Sequence, residues 1–163
     1  MGRFADQLHR ARREQVAGCD EPVLVVGEVE GAPAGALSVG VSELPDLAAA
    51  GSRFATILTM DALSGDGGAT RIAGQLVSLL TDDGRVRFVE RDRGRGTLRR
   101  LVNRARGDRV DVTGALWAGG ATVIVLTRPM GPLGPAYACG VARRSLTRPM
   151  MPRSTEDAEE ATT

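Results

Sequence analysis

Lysine is absent from this 163-residue chain: all 21 basic residues are arginine. That absence excludes Schiff-base chemistry, a phosphate-loop lysine and a Ser–Lys dyad. Histidine occurs once, as His9, which excludes a His-rich metal site; a single histidine among arginines on an N-terminal helix reads as a solvated surface residue. Aromatic residues make up only 3% of the chain, so the core must be built from Val, Leu, Ile and Ala. Cys19 and Cys139 are far apart and lack metal-ligand spacing, which fits a reducing compartment. No apolar run reaches membrane-spanning length, and the opening MGRFADQLHRARREQ is too charged for a signal peptide. A cytoplasmic protein with no membrane contact is expected. No serine lies in a G-x-S-x-G elbow, and Gly65–Gly68, Gly94–Gly96 and Gly119-Gly120 lack the strand–glycine–helix order of a nucleotide fingerprint. The expectation is therefore a non-enzyme with no cofactor and no metal.

What is present is a concentration of positive charge. Residues 85–109 hold ten arginines against Glu90, Asp92 and Asp108, a local excess of +7 in a chain whose formal net charge is +1. Arginine abundance alone follows from GC-rich coding, but guanidinium is also the better group for phosphate and for stacking on bases.

The pattern predicts a helix over Phe4–Val16, with Phe4, Leu8 and Ala11 in one stripe and Gly18 as its stop. Val23–Glu30 and Ala36–Val41 read as a hairpin around Gly31 and Pro33, followed by one or two helical turns over residues 43–51. Arg53–Met60 reads as a strand. Arg71–Leu80 and Arg85–Arg91 read as a second hairpin through Asp82-Asp83-Gly84, because Asp-Gly between apolar runs is a strong turn signal. On the returning strand Val86, Phe88 and Glu90 share one face, and Arg85, Arg87, Val89 and Arg91 the other. Arginines cannot enter a core unpaired, so that second face is expected to be exposed or bound to something. A short helix is predicted from Thr97 to Arg106, strands over residues 108–117 and Ala121–Thr127, the latter central or well covered, and a last strand over Ala136–Arg143. The heptapeptide Leu126–Pro132 recurs as Leu146–Pro152, which reads as two similar strand exits or as a duplicated recognition peptide. An acidic tail, residues 151–163, is expected to be disordered.

Strand, strand, strand, helix, strand, strand is the order of the OB-fold, a five-stranded Greek-key barrel. Gly107-Asp108-Arg109-Val110-Asp111-Val112-Thr113-Gly114 resembles the entry into its fourth strand and is most similar to the single-stranded-DNA-binding family. The organisation expected is an N-terminal helix over 1–18, one mainly β barrel domain over 19–150 with its OB-like core at 53–128, and the tail. A rival frame starts the barrel at Val23 and uses all eight strands.

The resemblance implies non-catalytic binding of nucleic acid, single-stranded DNA in the first instance. Arg85, Arg87 and Arg91 would track phosphates, Arg93 and Arg95 would wrap the strand, Trp117 would stack a base, and Arg71 and Gln75 would lie opposite. The alternative is a barrel that serves as a protein-interaction or assembly module. In either case the extra strands or the N-terminal helix are candidate surfaces for a homo-oligomer.

Overall fold

The computed structural model describes residues 2–63, 68–93, 110–128 and 136–145. It is an open α/β sandwich, with no closed barrel among these residues. The elements are α1 (Gly2–Ala17), β1 (Val23–Val26), β2 (Leu37–Val39), a 3-10 turn (Val41–Glu43), α2 (Leu44–Ala49), β3 (Phe54–Met60), α3 (Ala69–Ser78), β4 (Leu80–Asp92), α4 (Val112–Ala118), β5 (Ala121–Thr127) and β6 (Ala136–Arg144). The six strands form one sheet in the order β2-β1-β3-β4-β6-β5. β1 pairs parallel with both β2 and β3, β3 pairs parallel with β4, and β6 runs antiparallel between β4 and β5. Parallel pairing on one side of an open sheet is incompatible with a Greek-key barrel, and it corrects both the OB frame and the eight-strand frame.

Five local readings change with it. The supposed hairpin from Val23 to Val41 is a parallel pair whose Leu24 faces Leu37 across the ladder. Residues 71–80 are helical: Ile72, Ala73, Leu76 and Val77 are buried at positions i, i+1, i+4 and i+5, which is a helix stripe. No hairpin forms at Asp82-Asp83-Gly84; the register with β3 jumps from Phe54↔Leu80 to Thr56↔Arg85, so Thr81–Gly84 are taken up as an irregularity inside β4. Residues 112–118 are a helix, because the Asp111 carboxylate accepts the Gly114 amide at 3.0 Å and caps its first turn. β5 is an edge strand and not a central one, with Ile124 and Val125 exposed. Of the extra strands considered as surfaces for a second copy, β1 and β6 are flanked on both sides within the sheet, and β2 stands at its edge. The helix expected from Thr97 to Arg106, both heptapeptides beyond Arg128 and the acidic tail lie outside the described residues.

Each face of the sheet buries its own cluster. On one face Leu24, Val26, Ile57, Val86, Phe88, Ala138 and Ala142 pack against α2, α3 and α4 through Leu44, Leu76, Val77, Val112 and Leu116. On the other, Val23, Val25, Leu58, Met60, Val89, Tyr137 and Cys139 pack against α1 through Ala11, with Phe4 and Leu8 alongside. The Phe4 and Tyr137 rings meet at 6.3 Å between centroids. The thin stripe of α1 therefore docks on the body of its own chain. Among the described residues no helix is long and apolar enough to cross a membrane.

Candidate functional site

The chain leaves β1, passes outward to β2, then returns to β3 and continues to β4 on the other side. β1 and β3 are hydrogen-bonded neighbours, so the direction of winding reverses between them. In open α/β sheets ligands bind outside the carboxyl ends of the strands at this reversal. A crevice of about 1170 Å³ opens there, its walls drawn from α1, the β1–β2 connection, β2 and the end of β3.

The crevice floor begins where β1 ends. Gly27 takes φ +87°, a conformation that strains any other residue, and its amide donates to the Val39 carbonyl at 2.9 Å. Residues 27–36 then cross to β2 without forming a helix. Such connections ordinarily carry a crossover helix whose N-terminal amides face the ligand. Here Glu28 and Glu30 stand exposed on the rim, while Val29, Ala32 and Ala36 pack on the α1-side cluster. A rim with two carboxylates and no helix N-terminus repels a pyrophosphate and suits cationic or hydroxyl groups.

The opposite wall is helical. His9, Arg12, Arg13, Val16 and Ala17 recur at i, i+3, i+4, i+7 and i+8, one face of α1, and all line the crevice. The end of β3 supplies Met60, Asp61 and Ala62. Asp61 is a non-glycine residue at φ 58°, in the left-handed region, and its carboxylate lies 3.2 Å from Arg12 Nη2 and 3.7 Å from Arg91 Nε. Beneath this turn sits Glu90, fully buried at 0% exposure, accepting the Ala62 amide at 3.1 Å and the Leu63 amide at 2.9 Å. Burial raises its carboxyl to about 7, against the opposing pull of the Thr59 hydroxyl and those two amides. Cys139 is buried and its thiol is pushed up to about 12, chiefly by desolvation, so it is no nucleophile. Among the described residues, no group of three or more His, Cys, Asp or Glu is placed to hold a metal.

The arginines singled out from the sequence are dispersed. Arg71 and Gln75 are on α3, bonded to each other at 3.3 Å. Arg85 is exposed near the start of the regular β4 ladder. Arg87 reaches under the end of α1, donating to the Glu14 and Gln15 carbonyls at 3.4 and 3.5 Å and to Gln15 Oε1 at 3.3 Å. Arg91 faces Asp61, and Arg93 pairs with Asp111. Trp117 is 59% exposed on α4, across the sheet from Arg87 and α1. Arg95 lies outside the described residues. The alternation on β4 is as the sequence predicts, Val86, Phe88 and Glu90 on one face and the arginines on the other, but α1 covers much of the arginine face. Sequence reasoning missed the crevice itself. Its visible signal was the apolar run Val23–Val26 ending on Gly27, with a second glycine at Gly31 and acids between.

Comparison with solved structures agrees with this topology. The chain is similar to the N-methyltransferase NodS from Bradyrhizobium japonicum WM9, with a TM-score of 0.59 and 12% identity over 88% of this chain and 98% of that one. It is similar to the [4+2]-cyclase SpnF, with a TM-score of 0.58 and 14% identity over 88% of this chain and 82% of that one. A magnesium protoporphyrin IX methyltransferase, ChlM from Synechocystis PCC 6803 with bound SAM, gives a TM-score of 0.52 and 16% identity over 85% and 78%. No protein-family model matches the sequence, and no curated protein matches it. At these identities the likeness establishes the fold: the α/β architecture shared by these methyltransferases and the cyclase. It overturns the resemblance to single-stranded-DNA-binding proteins, and with it the reading as a non-catalytic nucleic-acid binder and the alternative of a barrel-shaped assembly module.

Proposed function

We propose that the chain binds S-adenosylmethionine in the crevice at the ends of β1, β2 and β3 and acts as a methyltransferase-type enzyme. The observation that carries the proposal is the rim after β1, where the winding reverses: Glu28 and Glu30 stand where a phosphate-binding helix N-terminus would otherwise be. S-adenosylmethionine has no phosphate; it offers an ammonium and two ribose hydroxyls that donate to carboxylates, a sulfonium that carboxylates attract by charge, and a single carboxylate of its own. Val29, Val41 and Met60 add apolar lining, and Gly27 lets a ligand approach the backbone closely. The residues present therefore fit the cofactor. Two of the three fold neighbours named above are methyltransferases, one of them solved with bound SAM, which supports the same reading. When bound, the cofactor supplies an electrophilic methyl group. The chain's own part is to hold charge and exclude water: the glutamates hold cationic and hydroxyl groups, while Asp61 is already engaged with Arg12 and Arg91. Cys19 and Cys139 are both free thiols, in keeping with a cytoplasmic setting.

Isothermal titration with S-adenosylmethionine, S-adenosylhomocysteine and NAD⁺ tests this. The first two are expected to bind and NAD⁺ to bind at least about tenfold more weakly; replacing Glu28 and Glu30 together by alanine weakens the first two by about tenfold or more. Absence of binding by both adenosyl ligands, or equal binding of NAD⁺, overturns the proposal.

A further inference from the structure

The crevice is bipolar. His9, Arg12 and Arg13 form one wall on a single face of α1, and Glu28 and Glu30 form the rim across from it. No ion pair joins the two sides among the described residues; Arg12 pairs with Asp61, and Arg13 is exposed and pairs with nothing described. The Arg12 Nε–H is buried and has no acceptor. Cationic donors left without acceptors at the edge of a large opening attract an anion into it. Val16, Val29, Val41 and Met60 give the same crevice an apolar share of its lining.

We propose that the α1 wall is the acceptor side of the crevice and selects a small acceptor with an apolar body and an oxyanion, a carboxylate or a phosphate monoester. The inference rests on the assignment of the glutamate rim to the cofactor: with its ammonium and ribose hydroxyls held there, the arginine wall is left for an anion, and the test below separates an acceptor's oxyanion from the cofactor's own carboxylate. Arg13 is the discriminating residue, since its guanidinium can take an oxyanion by paired N–H donors without disturbing the Arg12–Asp61 contact.

The test uses the full chain saturated with S-adenosylhomocysteine, titrated with salicylate, phenyl phosphate and the uncharged salicylamide. Salicylate, phenyl phosphate or both bind, salicylamide binds about tenfold more weakly or not at all, and Arg13→Gln weakens anion binding by about tenfold. The relative strength of the two anions separates a carboxylate site from a phosphate site. Arg10→Gln removes the same charge from a part of α1 outside the crevice lining and is expected to leave anion binding unchanged. Equal binding of charged and uncharged probes, equal weakening by Arg10→Gln, or a matching loss of S-adenosylhomocysteine affinity in Arg13→Gln each overturns the assignment. The last outcome would hand Arg13 to the cofactor. If S-adenosylhomocysteine fails to bind the wild type, the proposed function falls, and the same titrations on the free protein still decide whether the wall is an anion site.

Discussion

The two faces of the sheet are built on different principles. The α3/α4 face gathers nineteen buried residues into one cluster, almost all of them aliphatic, around Phe88. The α1 face gathers eight, and part of its cohesion comes from arginines: Arg87 under the end of α1, Arg12 and Arg91 on Asp61. β4 takes part in both, with Val86 and Phe88 in the first cluster, and Arg85, Arg87 and Arg91 alternating onto the other face beside Val89. Burial of aliphatic area is insensitive to pH and salt, whereas half-exposed ion pairs are weak and screened. The crevice lies on the second kind of face, where charges remain available for a ligand.

Three changes separate the faces. The largest effect is expected from Phe88→Ala, which opens a cavity in the apolar cluster and lowers unfolding free energy by about 3–5 kcal/mol in chemical denaturation. A smaller loss, under about 1.5 kcal/mol, would mean that this cluster is not the main source of stability. Next is Glu90, a carboxylate buried at 0% exposure on the apolar face of β4. Its carboxyl ordinarily titrates at 4.5 and is raised to about 7 in the fold. The folded chain thus holds a proton that the unfolded chain releases. Stability from this group is complete below pH 4.5 and is lost as pH rises through 7, a decline of roughly 3 kcal/mol. Glu90→Gln is expected to flatten that decline and to melt above wild type at pH 8; an unchanged pH profile refutes the raised carboxyl. Smallest is Arg87→Ala, which removes the donors beneath α1 and costs about 1–2 kcal/mol. Hydrogen exchange should quicken in residues 14–17 while α3 keeps its protection. Equal loosening of both helices would show that the two faces are not separable.

Sequence patterning located α1, β1, β3, β5 and β6, and it assigned the two faces of β4 residue by residue. It failed where two periodicities compete over a short span. Residues 71–80 carry Ile72-Ala73 and Leu76-Val77, a helix stripe, but the Asp-Gly pair after them made a hairpin the more compelling local reading. Val110, Val112 and Leu116 alternate as a strand would, and in the sequence Asp111, the cap that makes residues 112–118 helical, falls within that alternation. Neither parallel pairing nor strand order has a local signature, and both decided the fold. The crevice draws on His9, Gly27, Ser38 and Met60, positions that no spacing connects. The charge anomaly, by contrast, was plain in the sequence and pointed elsewhere: several of its arginines are internal struts.

β2 is three residues long, mostly exposed, and paired in the sheet with β1 alone, with Val39 its contact to the apolar cluster. Local opening begins where burial is least. The corner of the sheet that bounds the crevice is therefore expected to open at a smaller free-energy cost than the cluster around Phe88, so that the crevice's width can vary while the fold holds.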